Sequence, residues 1–152
     1  MTDAAGKARF TTVLPGCYVG RWPHIHFEVF TGLHAAVSGD NSLVISQFVV
    51  SGAVANAVYS GDPRYSGSIG NLANVALGAD FVFSDNTPEQ ITAQTLVMTG
   101  SANAGFQTSA TVGIASAGLL RRVRDITHLT FGSPDWIEPS RAETVCHCSE
   151  SE

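Results

Sequence analysis

Four side chains that can bind a metal or stabilise negative charge lie within nine positions near the start of the chain. They are Tyr18, Arg21, His24 and His26. A phenol and two imidazoles are donors that a transition-metal ion such as ferric iron accepts. A guanidinium beside them would stabilise an anionic substrate oxygen or a negative charge that develops on a ring. The grouping therefore predicts most of a ferric iron site with a cationic neighbour.

The two histidines are expected to share one face of a strand. The segment His24–Phe30 is rich in apolar and aromatic residues and has the alternation of a half-buried strand. Because side chains alternate along a strand, Ile25 and Phe27 should point to the face opposite His24 and His26. A His-x-His pair on a strand then offers two ligands to one metal, although two histidines on one face are also common as ordinary surface residues.

The loop before this strand is expected to bring the phenol and the guanidinium towards the same point. Tyr18 follows a Pro15-Gly16 turn signal, and Gly20 lets the chain bend back. Arg21 lies three positions before His24, where a turn entering the strand would hold it beside the site. A surface arginine and a tyrosine at the edge of the core are the ordinary alternative for each residue alone. Four such residues together favour a site.

Length and composition bound the class of protein. The 152 residues suffice for one domain with a sizeable core, and 44% hydrophobic against 14% charged residues indicates a folded chain. The net charge of −5, without a basic stripe, disfavours a nucleic-acid partner. No apolar run reaches bilayer length and no leader pattern is present, so we expect no membrane partner and a cytoplasmic protein as written. A natural start further upstream could carry an export signal.

The cysteines predict no disulfide framework, because Cys17, Cys146 and Cys148 are only three. The run Cys146-His147-Cys148 could suggest zinc. A closed zinc site usually needs two spaced ligand pairs, so incidental cysteines in a tail are the more economical interpretation.

Strand-like runs separated by turn signals predict an all-β fold, a β-sandwich, over residues 1–117. The predicted strands are Arg9–Leu14, His24–Phe30, Leu43–Val50, Phe81–Phe83, Gln90–Gly100 and Phe106–Ala115. The segment Asn71–Leu77 is left open between a helical turn and an extended loop. Residues 118–152 lose the strand pattern and are expected to form an irregular tail.

The central motif resembles the signature of the intradiol ring-cleavage dioxygenases, the family of protocatechuate and catechol dioxygenases. It runs Pro15-Gly16-x-Tyr18-x-Gly20-Arg21-x-Pro23-His24-Ile25-His26-Phe27, after a matching lead-in Thr2-Asp3-x-x-Gly6-x-x-x-Phe10-x-Thr12. Ser46-Gln47 on the following strand also matches, and a looser resemblance extends over about three quarters of the chain.

The resemblance implies a β-sandwich that binds a mononuclear non-haem Fe(III). In the family two tyrosines, two histidines and a solvent hydroxide bind the iron, which implies His24 and His26 as the histidine ligands here. Tyr18 matches the tyrosine that the incoming catechol displaces and that can then take a substrate proton. Arg21 matches the arginine that stabilises negative charge on the ring, and Gln47 matches a glutamine lining the pocket. The implied partners are a catechol-type substrate and O2, the implied product is a muconate-type diacid, and a homo-oligomer is possible.

One family ligand has no counterpart in this sequence. The family's first tyrosine ligand lies well upstream of the lead-in Thr2-Asp3, so the expected domain is incomplete at its N-terminus. Tyr59 and Tyr65 lie outside the motif, and nothing makes either a substitute.

Two further functions stay open at this point. One is a catalytically inactive β-sandwich remnant of the family with weak or no iron binding. The other is a hydrolytic zinc site on His24 and His26, for which Glu28, on the same strand face, is the only candidate third ligand.

Overall fold

Strands and short helices alternate along the chain. The computed structural model describes residues 1–39, 41–114 and 129–131, and within them lie six strands and four α-helices. The strands are β1 (Phe10–Thr12), β2 (His24–Val29), β3 (Val44–Val49), β4 (Thr99–Ser101), β5 (Gly105–Thr108) and β6 (Leu129–Phe131). The helices are α1 (Leu33–Ser38), α2 (Gly52–Gly61), α3 (Ser66–Ala73) and α4 (Pro88–Gln94), with 3-10 helices at Pro63–Tyr65 and Leu77–Ala79.

The strands form two separate sheets. One has the order β1-β6-β5-β4, with β1 and β6 parallel and the other pairs antiparallel. The other is the antiparallel pair of β2 and β3, whose register places His26 opposite Gln47 and His24 opposite Val49. A single bridge from Val49 to Thr95 connects β3 to the segment after α4. The β2–β3 register therefore brings two of the predicted site residues, on different strands, into a cross-strand pair.

Alternation along β2 separates the core from the candidate site. Ile25, Phe27 and Val29 are buried, whereas the intervening side chains, which include both histidines, are only partly buried. Phe27 stacks on Phe48 of β3 with ring centroids 4.4 Å apart. The predicted two-residue period is confirmed, and the apolar face of the strand fixes which way the histidines point.

Three predicted strands are confirmed, a fourth is partly right, and one open segment is resolved. Arg9–Leu14, His24–Phe30 and Leu43–Val50 contain β1, β2 and β3. Phe106–Ala115 contains most of β5, which ends at Thr108. In the open segment Asn71–Leu77, the helical alternative holds at both ends, because α3 runs to Ala73 and a 3-10 helix begins at Leu77.

The predicted strand Phe81–Phe83 is wrong, since these residues form a turn. The Asp80 carboxylate accepts a hydrogen bond from the Val82 amide at 2.8 Å, and the Asp80 carbonyl accepts from Phe83 and Ser84. These local bonds take the backbone donors that a strand would give to a neighbour.

The predicted strand Gln90–Gly100 is wrong over its first half, which belongs to α4. The Thr87 hydroxyl accepts from the Gln90 amide, and the Gln90 side chain accepts from the Thr87 amide, which is a capping box. Pro88 stands in the first turn, where it needs no amide donor. Only Thr99 and Gly100 of the predicted strand belong to β4.

The described residues are not clearly all-β, because four α-helices accompany the six strands. The β-sandwich stays a prediction. The predicted irregular tail, residues 118–152, lies outside the described residues except for Leu129–Phe131. These three residues form β6, which pairs with β1 and β5. Within the described part of the chain, no helix has the length and apolarity needed to cross a membrane.

Candidate metal centre

A tight turn folds the loop before β2 so that Tyr18 and Arg21 meet. The Arg21 amide donates to the Tyr18 carbonyl at 3.2 Å, and Gly20 between them has a φ of 77°, which favours glycine. The Arg21 Nη1 group then donates to the Tyr18 hydroxyl at 3.2 Å. The bend predicted at Gly20 is confirmed, and it brings a phenol and a guanidinium into direct contact.

Four side chains from α2, α3 and the turn between them hold the loop from Leu14 to Cys17. The Tyr59 hydroxyl donates to the Pro15 carbonyl at 2.6 Å, and the Tyr65 hydroxyl donates to the Leu14 carbonyl at 2.7 Å. Further along, the Cys17 amide donates to Ser68 Oγ at 3.0 Å, and Asn71 Nδ2 donates to the Cys17 carbonyl at 2.8 Å. The loop is thus held in place from Leu14 to Cys17, the residue directly before Tyr18.

Tyr59 and Tyr65 are structural residues. Both are buried, their rings stack with centroids 5.0 Å apart, and both hydroxyls are used by backbone carbonyls. Burial is the main cause that raises the pKa of each phenol, which disfavours the phenolate that a ferric ion would need. Both hydroxyls are therefore engaged in holding the loop before Tyr18.

We expect Tyr65→Phe to lower the free energy of unfolding by about 1–2 kcal/mol, because it leaves the buried Leu14 carbonyl without its donor. Urea denaturation followed by circular dichroism measures this. Tyr18→Phe is the control, since Tyr18 is 54% exposed and its loss of a hydroxyl should cost much less. Equal midpoints for Tyr65→Phe and the wild type would show that the bond does not hold the loop.

The Arg21 guanidinium is the centre of the cluster. Its Nε donates to Asp80 Oδ2 at 2.9 Å, and its Nη2 donates to Gln47 Oε1 at 2.8 Å and lies 3.4 Å from His24 Nε2. With the Tyr18 contact, all three nitrogens have partners. A planar fork of this kind holds several neighbours in one fixed geometry, whereas a lysine ammonium is a compact charge on a flexible stem.

His24 has the hydrogen-bonding pattern of a metal-ligating histidine. Its Nδ1 lies 2.6 Å from the Trp22 carbonyl, which can only accept, so Nδ1 carries the proton and Nε2 has the lone pair, which faces Arg21 Nη2 at 3.4 Å. Burial, the largest cause, lowers the pKa of His24, and the positive Arg21 adds to this. The Tyr18 ring lies with its centroid 6.0 Å from that of His24. The neutral imidazole is the form that binds a metal.

His26 has a different partner. Its Nε2 lies 3.1 Å from Glu28 Oε1, on the same strand face. Both side chains are about a third exposed. Nε2 of His26 is therefore available to a metal only after Glu28 has turned away.

The structure brings four of the five predicted site residues into direct contact. Arg21 touches Tyr18, His24 and Gln47, while His26 joins the group through its sheet register opposite Gln47. Asp80 was missed as a site residue. A lone acid in the apolar stretch Ala76–Phe83 is the signal that could have found it.

The donor set fits ferric iron in type. A phenol and two imidazoles are present, and Tyr18 Oη, His24 Nε2 and one nitrogen of His26 would hold the ion. Among the described residues no group of three or more histidine, cysteine, aspartate or glutamate side chains is placed to hold a metal. The zinc alternative on His24, His26 and Glu28 therefore has no three-ligand group there. The Cys146-His147-Cys148 run lies outside the described residues.

Comparisons with family models, with curated proteins and with solved structures find no match for this chain.

Proposed function

We propose that the chain carries a non-haem Fe(III)-dependent intradiol dioxygenase site. It would cleave a catechol-type ring between the two hydroxyl-bearing carbons with O2 and give a muconate-type diacid. The observation that carries the proposal is the position of Arg21, in contact at once with Tyr18, Gln47 and His24. A β-sandwich stays part of the proposal, supported by the two sheets within the described residues.

In this proposal each side chain of the site has a role that follows from its chemistry. Tyr18, more than half exposed, can leave a ligand position and accept a proton from a substrate hydroxyl. Arg21 would stabilise negative charge on the ring, and Gln47 accepts a hydrogen bond from one of its nitrogens. His24 offers Nε2 while its Nδ1–H is held by the Trp22 carbonyl. Ferric iron, when bound, would make the chelated catechol reactive towards O2.

The test is the visible spectrum. A phenolate bound to ferric iron absorbs visible light, so we expect the full chain expressed with iron to be coloured and Tyr18→Phe to lose most of that band. Tyr59→Phe and Tyr65→Phe are matched controls that should keep it, because their hydroxyls bind backbone carbonyls. A colourless, iron-free wild-type protein would contradict the proposal.

A second candidate is a catalytically inactive domain of the same family with weak or no iron binding. The observation that favours it is the Glu28 carboxylate on His26, which competes with a metal for Nε2. Iron content and turnover of catechol, measured on the same sample, separate the two. Stoichiometric iron with ring cleavage favours the enzyme, and substoichiometric iron without cleavage favours the inactive domain.

A further inference from the structure

The turn formed by residues 80–83, here the Asp80 turn, contacts the candidate site with three of its four residues. Its shape is fixed locally, since the Asp80 carbonyl accepts from the Phe83 amide at 3.0 Å and Asp80 Oδ1 accepts from the Val82 amide at 2.8 Å. Asp80 has no exposed surface. The carboxylate is therefore held by its own turn before it meets any other element.

The other carboxylate oxygen of Asp80 reaches the entry of β2. Oδ2 accepts from Arg21 Nε at 2.9 Å and from the Trp22 amide at 2.7 Å. Burial alone would raise the pKa of Asp80, but hydrogen bonds from the Val82 and Trp22 amides and from Arg21 outweigh it and lower that pKa. A buried carboxylate with these donors stays negatively charged and neutralises the positive charge of Arg21.

Trp22 extends this contact to the proposed iron ligand. Its amide donates to Asp80, and its carbonyl accepts from His24 Nδ1 at 2.6 Å. Asp80 thus restrains the residue that orients His24, as well as the guanidinium itself.

The aromatic residues of the turn act on the same two side chains. Phe81 lies with its ring centroid 4.5 Å from the Arg21 guanidinium carbon, although Phe81 is 74% exposed. Phe83 is buried and meets the His24 ring edge to face, with centroids 6.3 Å apart. A single turn therefore contacts Arg21 through Asp80 and Phe81, and His24 through Phe83.

We propose that Asp80 is a positioning residue that holds Arg21, and through Trp22 also His24, in the arrangement the reaction needs, with Phe81 closing one face of the guanidinium. Its effect on turnover rests on the proposed dioxygenase function. Its effect on the guanidinium does not, because the contacts exist in the chain itself.

The first experiment measures the restraint on Arg21 without iron. In the 15N-labelled full chain, NMR follows the exchange of the Arg21 Nε proton with water, and Arg21→Lys assigns its signal. We expect Asp80→Asn to speed this exchange roughly tenfold or more, since a hydrogen bond to a buried charge is lost. Asp62→Asn is the matched control, because Asp62 pairs with Arg64 at 2.7 Å on the surface and should leave the Arg21 signal unchanged.

Phe81→Ala keeps the proposal testable if Asp80→Asn does not fold. Because Phe81 is largely exposed, its removal should leave the fold intact and still speed the exchange of the Arg21 Nε proton, by a smaller factor. Unchanged exchange in Phe81→Ala, and in Asp80→Asn where it folds, would overturn the proposal.

The second experiment uses the iron-loaded protein and catechol. We expect Asp80→Asn to lower kcat roughly tenfold to a hundredfold while KM changes by less than about threefold, because misplacing a charge-stabilising group affects the transition state most. If Asp80→Asn lowers only the yield of soluble protein, kcat per folded, iron-bound molecule stays at the wild-type value. An unchanged kcat would overturn the proposal. Suppose that Asp80→Asn speeds the exchange of the Arg21 Nε proton but the coloured wild-type protein does not cleave catechol. The dioxygenase function is then wrong, and the positioning of Arg21 by Asp80 stands.

Discussion

His24→Ala is expected to yield a protein without iron, without colour and without measurable ring cleavage. His24 offers Nε2 as a ligand nitrogen, and the Trp22 carbonyl fixes the proton on the opposite nitrogen. Losing only the hydrogen-bond partner of a ligating histidine typically costs tenfold to a hundredfold in metal affinity, so losing the ligand should cost more than about a hundredfold. Metal analysis of the purified protein and the visible spectrum measure this.

His34→Ala is the matched control for that loss. His34 is an exposed histidine on α1 and is not one of the site residues. Its removal should leave iron content and turnover unchanged. Wild-type iron content in His24→Ala, with the fold retained by circular dichroism, would remove His24 from the site.

Arg21→Lys should lower kcat/KM about a hundredfold while keeping the positive charge, because one ammonium cannot replace contacts to Asp80, Tyr18 and Gln47. The free energy of unfolding should fall by about 1–3 kcal/mol, since hydrogen bonds to a buried carboxylate are lost. Steady-state kinetics with catechol and urea denaturation measure the two effects.

The same substitution at Arg64 gives the comparison. Arg64 pairs with Asp62 at 2.7 Å, but its side chain is 42% exposed, so Arg64→Lys should cost less than about 1 kcal/mol and leave turnover unchanged. If both variants behave alike, the buried setting of Arg21 has no special role, and the site needs only its charge.

The part of the site that could be predicted consists of residues that lie close together in the sequence. The alternation in His24–Val29 fixes the faces of β2 because apolar side chains at every second position must be buried. Gly20 in turn permits the bend between Tyr18 and Arg21. Neither inference requires knowledge of a distant segment.

Asp80 could not be placed in the same way, because its partner Arg21 lies far away in sequence and the contact depends on tertiary packing. Aromatic and β-branched residues in Phe81–Phe83 favour a strand by propensity. The Asp80 side chain overrides that preference by capturing the Val82 amide, which is a local effect of a single acid.

The sequence contains start signals for helix α4, but the predicted strand Gln90–Gly100 follows the strand propensity of the residues after them. Thr87-Pro88-Glu89-Gln90 has a cap residue, a proline in the first turn and the glutamine of a capping box. Ile91 and the threonines after it favour strands, and this propensity gave the wrong prediction. For α4, the residues at the N-terminal end of the helix predict its structure better than the residues in its interior do.

The parallel pairing of β1 with β6 has a consequence for how the protein is made. Phe10 pairs with Leu129, about 120 residues later, so β1 leaves the ribosome long before its neighbour in the sheet exists. At about 5–20 residues per second, the wait is on the order of ten seconds. During that time β1 lacks its partner, and closing so large a loop is slow. The β2–β3 pair can therefore form on the nascent chain well before the sheet that contains β1 can be completed.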